Sequence, residues 1–103
     1  MRRWIDRAVE IIVDLYDPDE IMLFGSWARN QQTLQSDIDL LIVKDTDLPR
    51  RYRGMEVASY LQKYPVDFDL LFYTQGELEQ GMATEHSFVR TILGTAVTVF
   101  RKA

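Results

Sequence analysis

Short apolar runs separated by stretches of helical period constrain this chain most. IMLFG (21–25), SDIDLLIV (36–43), VDFDLLFY (66–73) and TAVTVF (95–100) each have the length and punctuation of a strand. Elsewhere the spacing changes. Ile5, Val9, Ile12, Leu15 and Tyr16 mark an amphipathic helix over about 3–16 that stops at DPDE. Met55, Ala58, Tyr60 and Leu61 mark a second helix within 49–64, closed by Pro65. Thr74-Gln75-Gly76-Glu77 has the spacing of a capping box, so another helix is expected from there through about Leu93. Strands alternating with helices predict an α/β (α+β) architecture: a sheet of about four strands covered by helices. The 103 residues suit one domain, 1–103, without repeat, linker or a second lobe to position a substrate.

Composition removes several classes of function. Hydrophobic residues are 47% of the chain and charged ones 27%, a globular balance. The net charge of −4 argues against holding nucleic acid by phosphate neutralisation. With no cysteine, disulfides, thiolate metal sites and cysteine nucleophiles are absent, which fits the cytoplasm. WIDRAVEIIVDLY is interrupted by charge every few residues, so neither a secretory leader nor a membrane span is expected there.

Two aspartates stand where a core strand begins. Burying unpaired carboxylates is strongly unfavourable, so Asp37 and Asp39 call for a compensating positive charge. Along a strand, side chains at i and i+2 share a face about 6.5 Å apart, which aims both at one volume and turns Ile38 and Leu40 the other way. Such hard oxygen ligands suit Mg²⁺, which takes one or two protein carboxylates and completes its shell with water and substrate phosphate. Upstream, Gly25 lets a phosphate approach the backbone, and Ser26 opens a short helical turn through Trp27, Ala28 and Arg29 whose first amides suit an anion.

Gly25-Ser26, ten residues, then Asp37-Ile38-Asp39 resembles the signature of nucleotidyltransferases of the DNA polymerase β superfamily. GSWARN and SDIDLLIV are similar to its small stand-alone members, the minimal nucleotidyltransferases. DLLFYTQGEL (69–78) resembles the family's third-carboxylate strand and the capped helix after it, and ILGTAVTVF its last helix and strand. The resemblance implies the nucleotidyltransferase fold with a mixed sheet. It implies Gly25 and Ser26 on the β and γ phosphates of ATP, and Asp37, Asp39 and a third aspartate on two Mg²⁺ ions. Such ions stabilise both the attacking hydroxyl and the departing pyrophosphate. Asp67 and Asp69 share a strand face, so period does not separate them; the spacing to Thr74 matches the family pattern for Asp69. One departure is Asn30, where many relatives carry glycine; asparagine also tolerates a left-handed backbone.

Other residues have plainer readings. Trp27 is expected to pack against a helix rather than stack on a base. Arg29 is a candidate phosphate contact, balanced by an ordinary surface role. Arg50, Arg51 and Arg53 form the one basic cluster of the sequence, read as a solvated helix start in preference to a nucleotide or acidic-partner contact. His86 is assigned no role.

The first function that follows is transfer of AMP from ATP to a hydroxyl of another molecule. Among what the resemblance implies, small members are paired with all-helical HEPN toxins, which they silence by adding AMP to a tyrosine, so the chain reads as the antitoxin of such a pair. The alternatives are an antitoxin that neutralises its partner by contact alone, and a transferase acting on a small hydroxylated molecule. Homo-oligomerisation is left open by the sequence.

Overall fold

A computed structural model of the protein describes residues 2–33 and 37–103. Its elements are α1 (Arg2–Tyr16), β1 (Glu20–Phe24), α2 (Gly25–Ala28), β2 (Ile38–Val43), α3 (Met55–Leu61), β3 (Phe68–Tyr73), α4 (Gln75–Ala83), α5 (Phe88–Leu93) and β4 (Val97–Arg101), with a 3-10 turn at Arg50–Tyr52. The strands form a mixed sheet in the order β3-β2-β1-β4. β1 runs antiparallel to β2 and β4, and β2 runs parallel to β3.

β2 is central because it is apolar on both faces. Ile38, Leu40 and Ile42 are fully buried against α1 and α3, together with Ile5, Ile12, Ile21, Val57 and Leu61. Leu41 and Val43 point the opposite way, to a smaller core with Met22, Phe24, Leu78, Val89 and Ile92 under α4 and α5. Burying side chains of this kind contributes roughly 1.5–3 kcal/mol each, which makes the register of β2 costly to shift. The odd-numbered residues of β2 thus share the face of the smaller core, and Asp39 sits on it, beyond the last apolar pair.

The capping box forms as expected: Thr74 Oγ1 accepts from the Glu77 amide at 3.1 Å, and Glu77 Oε1 accepts from the Thr74 amide at 2.8 Å. The helix it starts does not continue to Leu93. It stops at Ala83, and α5 begins after Ser87, whose hydroxyl accepts from the Arg90 amide at 3.0 Å and donates to the Gly81 carbonyl at 2.6 Å. His86 between them is left-handed (φ 62°), which no helix interior allows. A Cβ on Gly81 would lie 2.6 Å from Val89, so glycine also lets the two helices pack closely. The 49–64 segment is likewise shorter in regular helix than its spacing suggests.

Nor is the basic cluster a solvated helix start throughout. Arg53 is buried, its guanidinium donating to Glu77 at 2.7 and 3.2 Å and to the carbonyls of Leu48 (2.8 Å) and Phe72 (3.1 Å). Arg50 lies 4.1 Å from the centre of the Tyr73 ring, while Arg51 remains exposed.

Candidate active site

The antiparallel register sets Phe24, the end of β1, opposite Asp39, and the parallel register sets Asp39 beside Asp69. One carboxylate comes from each of two neighbouring strands, on the same face, next to the turn that leaves β1. That turn is Gly25, at φ 72°, and a Cβ there would collide with the Asp39 carboxylate. Glycine is therefore required twice, by backbone conformation and by the closeness of the acid. Gly25→Ala is expected to cost about 1–2 kcal/mol of stability from the left-handed backbone alone, and to displace the Asp39 carboxylate. Chemical denaturation and nucleotide titration of the variant check this, and wild-type behaviour in both would contradict it.

Electrostatics mark the same spot. The pKa of Asp39 is raised from 3.8 to about 6, first by its removal from water, then by the charges of Asp69 and Asp37 and a hydrogen bond with Asp69. Arg29 opposes the rise. Carboxylates that disfavour one another's charge bind a cation with corresponding gain. Asp39 is half-buried, whereas Asp69 and Asp37 are exposed, Asp37 lying just before β2. Among the described residues no three His, Cys, Asp or Glu side chains form a metal-binding group. The Asp39–Asp69 pair suits Mg²⁺ all the same, since that ion needs only one or two protein carboxylates when phosphate oxygens supply the rest.

The α2 turn is the candidate for the anion side. Phe24 provides no side-chain cap, so no capping side chain occupies the first amides of the turn. The Gln31 amide closes back on the Ser26 carbonyl at 2.8 Å, and Asn30 adopts the left-handed conformation (φ 57°) for which asparagine is suited. Trp27 packs on the larger core, as its position beside a glycine turn predicts. Arg29 is exposed and close enough for its charge to act on Asp39.

The structure thus brings Gly25, Arg29, Asp37 and Asp69 together around Asp39, with Ser26 next to Gly25 in the chain. Asp67 falls outside this group: it precedes β3, its carbonyl accepts from the Ile38 amide at 2.9 Å, and it lines a cavity next to Tyr64 and Phe68. Leu34, Gln35 and Ser36, within the polar loop and strand start read from the sequence, lie outside the described residues. The Arg53–Glu77 pair carries no signal in the sequence, since its members stand 24 positions apart with no motif linking them.

A mixed sheet with acidic residues on neighbouring strands beside a glycine turn is the architecture of a nucleotidyl-transfer domain. Residues 5–97 match the nucleotidyltransferase domain family, and the chain belongs to that family. Two proteins of Methanocaldococcus jannaschii, both named as putative protein adenylyltransferases, are 40% identical to it over 55 and 52 residues, or 52% and 50% of this chain. The matched segments span about half of those relatives, 55% and 52% of their lengths.

Solved structures share the fold. A nucleotidyltransferase from Sulfolobus solfataricus, itself named as putative, superposes with a TM-score of 0.60 at 18% identity, over 97% of this chain and 79% of that one. A chain of a toxin–antitoxin crystallised with AMP-PNP gives 0.66 at 22% identity, over 94% and 73%. A chain of a mutant MntA–HpeT toxin–antitoxin gives 0.61 at 22%, over 94% and 72%. No described helix is long and apolar enough to cross a membrane.

Proposed function

We propose that this chain transfers AMP from ATP to a hydroxyl of a partner protein, the acceptor being a tyrosine of a helical HEPN-type toxin that it thereby silences. The observation that carries the reading is the Asp39–Asp69 pair, in register on adjacent strands and set against the Gly25 turn. The adenylyltransferase relatives and toxin–antitoxin neighbours are consistent with it.

In this reading the amides of Gly25 and Ser26 and the Arg29 guanidinium hold the triphosphate tail, with Asp37 and Asp39 on its metal side. Asp69, at the exposed end of β3, faces the acceptor. Mg²⁺, as two ions held by Asp37, Asp39 and Asp69, would supply charge neutralisation for both the attacking and leaving oxygens. The acceptor oxygen bonds to the α-phosphorus, the bond to the bridging oxygen breaks, and pyrophosphate departs while the hydroxyl proton passes to solvent or a carboxylate.

Incubation with ATP, Mg²⁺ and the product of an adjoining helical reading frame should add one or more increments of about 329 Da to that partner, the mass of one transferred AMP with pyrophosphate leaving. An unchanged mass, with an Asp39→Asn protein still relieving toxicity, would establish neutralisation by contact instead. Asp69→Asn is expected to lower the rate at least about a hundredfold and Asp67→Asn only a few-fold, because Asp67 stands outside the carboxylate pair. Rate measurements giving the reverse order would exchange their roles.

A further inference from the structure

The outer edge of β3 is a row of backbone groups that the sheet does not use. The Ile38 amide donates to the Asp67 carbonyl at 2.9 Å and the Lys44 amide to the Tyr73 carbonyl at 3.0 Å. In a parallel ladder this directs the backbone of residues 67, 69, 71 and 73 towards β2 and that of Phe68, Leu70 and Phe72 away from it. Arg53 takes the Phe72 carbonyl. The N–H and carbonyl of Phe68 and Leu70 are left facing outward at the sheet edge, since β3 has no further neighbour among the described residues.

That edge opens on a cavity of ≈ 460 Å³ lined by Leu61 and Tyr64, from α3 and the turn after it, and by Phe68 and Leu70 of β3. Arg50, stacked on Tyr73 at the end of β3, and Asp67, just before its start, also line the cavity, and Asp69, in register with Asp39, lies along the strand between them. An extended strand is the ligand that satisfies both an unpaired edge and an adjoining apolar groove. The charges at the two ends select an acidic residue beside Arg50 and a basic one beside Asp67.

We propose that β3 accepts an extended segment of the acceptor protein as a fifth, antiparallel strand, paired at Phe68 and Leu70. Residues directly opposite on neighbouring strands present their side chains on the same face. The residue opposite Asp69 therefore lies beside the carboxylate pair, and the residues flanking it enter the groove against Leu61 and Tyr64. The segment has the pattern acidic, apolar, any residue, apolar, hydroxyl-bearing, apolar, basic, with one apolar residue facing Leu70 and the next facing Phe68. The role of the hydroxyl rests on the proposed transfer reaction; the docking does not.

The probe is the acetylated, amidated heptapeptide Glu-Val-Thr-Val-Tyr-Val-Lys, fluorescently labelled and titrated by anisotropy. Saturable binding is expected with a Kd below about 100 μM. Hydrogen exchange at the Phe68 and Leu70 amides should slow at least about tenfold, while Asp69 and Leu71, already bonded to β2, should not change. N-methylation of either valine beside the tyrosine should weaken binding at least about tenfold, and N-methylation of the tyrosine, whose N–H points away from β3, should not. Leu70→Pro, which deletes an outward N–H, should act like the methylated valines. Absence of binding, or equal sensitivity to all three methylations, overturns the proposal. A peptide that fails to bind while the partner still gains mass discards the docking edge alone. A peptide that binds while no mass is gained discards the transfer reading alone.

Discussion

Replacing Asp39 by asparagine is expected to reduce AMP transfer at least about a thousandfold and, in the absence of divalent ions, to stabilise the fold. The two effects have one origin. Asp39 is held half-buried beside Asp69 and within reach of the charge on Asp37, and its pKa rises from 3.8 to about 6. Because the folded value lies above the unfolded one, the folded state retains a proton between them. Stability therefore falls as pH rises through about 4 to 6, and the full penalty persists above that window. After allowance for solvent screening the penalty is about 1–2 kcal/mol, and asparagine removes it. Urea denaturation in chelator at half-unit steps from pH 4 to 8 should show this decline in the wild type and not in Asp39→Asn. Mg²⁺ or Mn²⁺ should restore the loss in the wild type and do little for the variant. Parallel pH profiles for the two proteins would remove the basis for treating the pair as a cation site.

Much of this site was legible in the sequence because its determinants are local. Strand alternation around Asp37-Ile38-Asp39 predicted the burial of Ile38 and Leu40, and both are fully buried. The turn at Gly25 and the cap at Thr74 depend on residues within a few positions, and both formed. What local pattern did not reveal was register. The choice between Asp67 and Asp69 depends on which residue of β3 lies beside Asp39, and that is set by how Leu40 and Ile42 seat Leu70 and Phe72 over α1 and α3. The broken helix between Ala83 and Phe88 was hidden for a different reason. Its apolar residues keep a helical period, while the left-handed His86 and the Ser87 cap interrupt it. Arg53 was the hardest to read, since its partners lie at Leu48, Phe72 and Glu77, brought together by the fold alone.

Arg53→Met is expected to cost about 3 kcal/mol of stability. Truncation leaves the Leu48 and Phe72 carbonyls without their donor and deprives Glu77 of a paired guanidinium inside the fold. Arg50, at 3.6 Å from Glu77, is about half exposed and replaces little of that. The pH dependence identifies the cause. The hydrogen bond from Arg53 is the largest influence holding the Glu77 pKa down from 4.5 to about 2, and the Thr74 amide adds to it. A depressed folded value gives stability that is present above about 4.5 and lost as pH falls towards 2. The gap between wild type and Arg53→Met should therefore narrow across that acid window, opposite in sign to the Asp39 effect. Adding Glu77→Gln, which keeps an acceptor for the Thr74 amide, should recover part of the loss by removing the unpaired charge. Transfer per folded molecule should stay within a few-fold of wild type, because Arg53 grips Phe72, three residues and about 10 Å along β3 from Asp69. A large fall in rate with the fold intact would show instead that this ion pair, by fixing β3, sets the position of the Asp69 carboxylate.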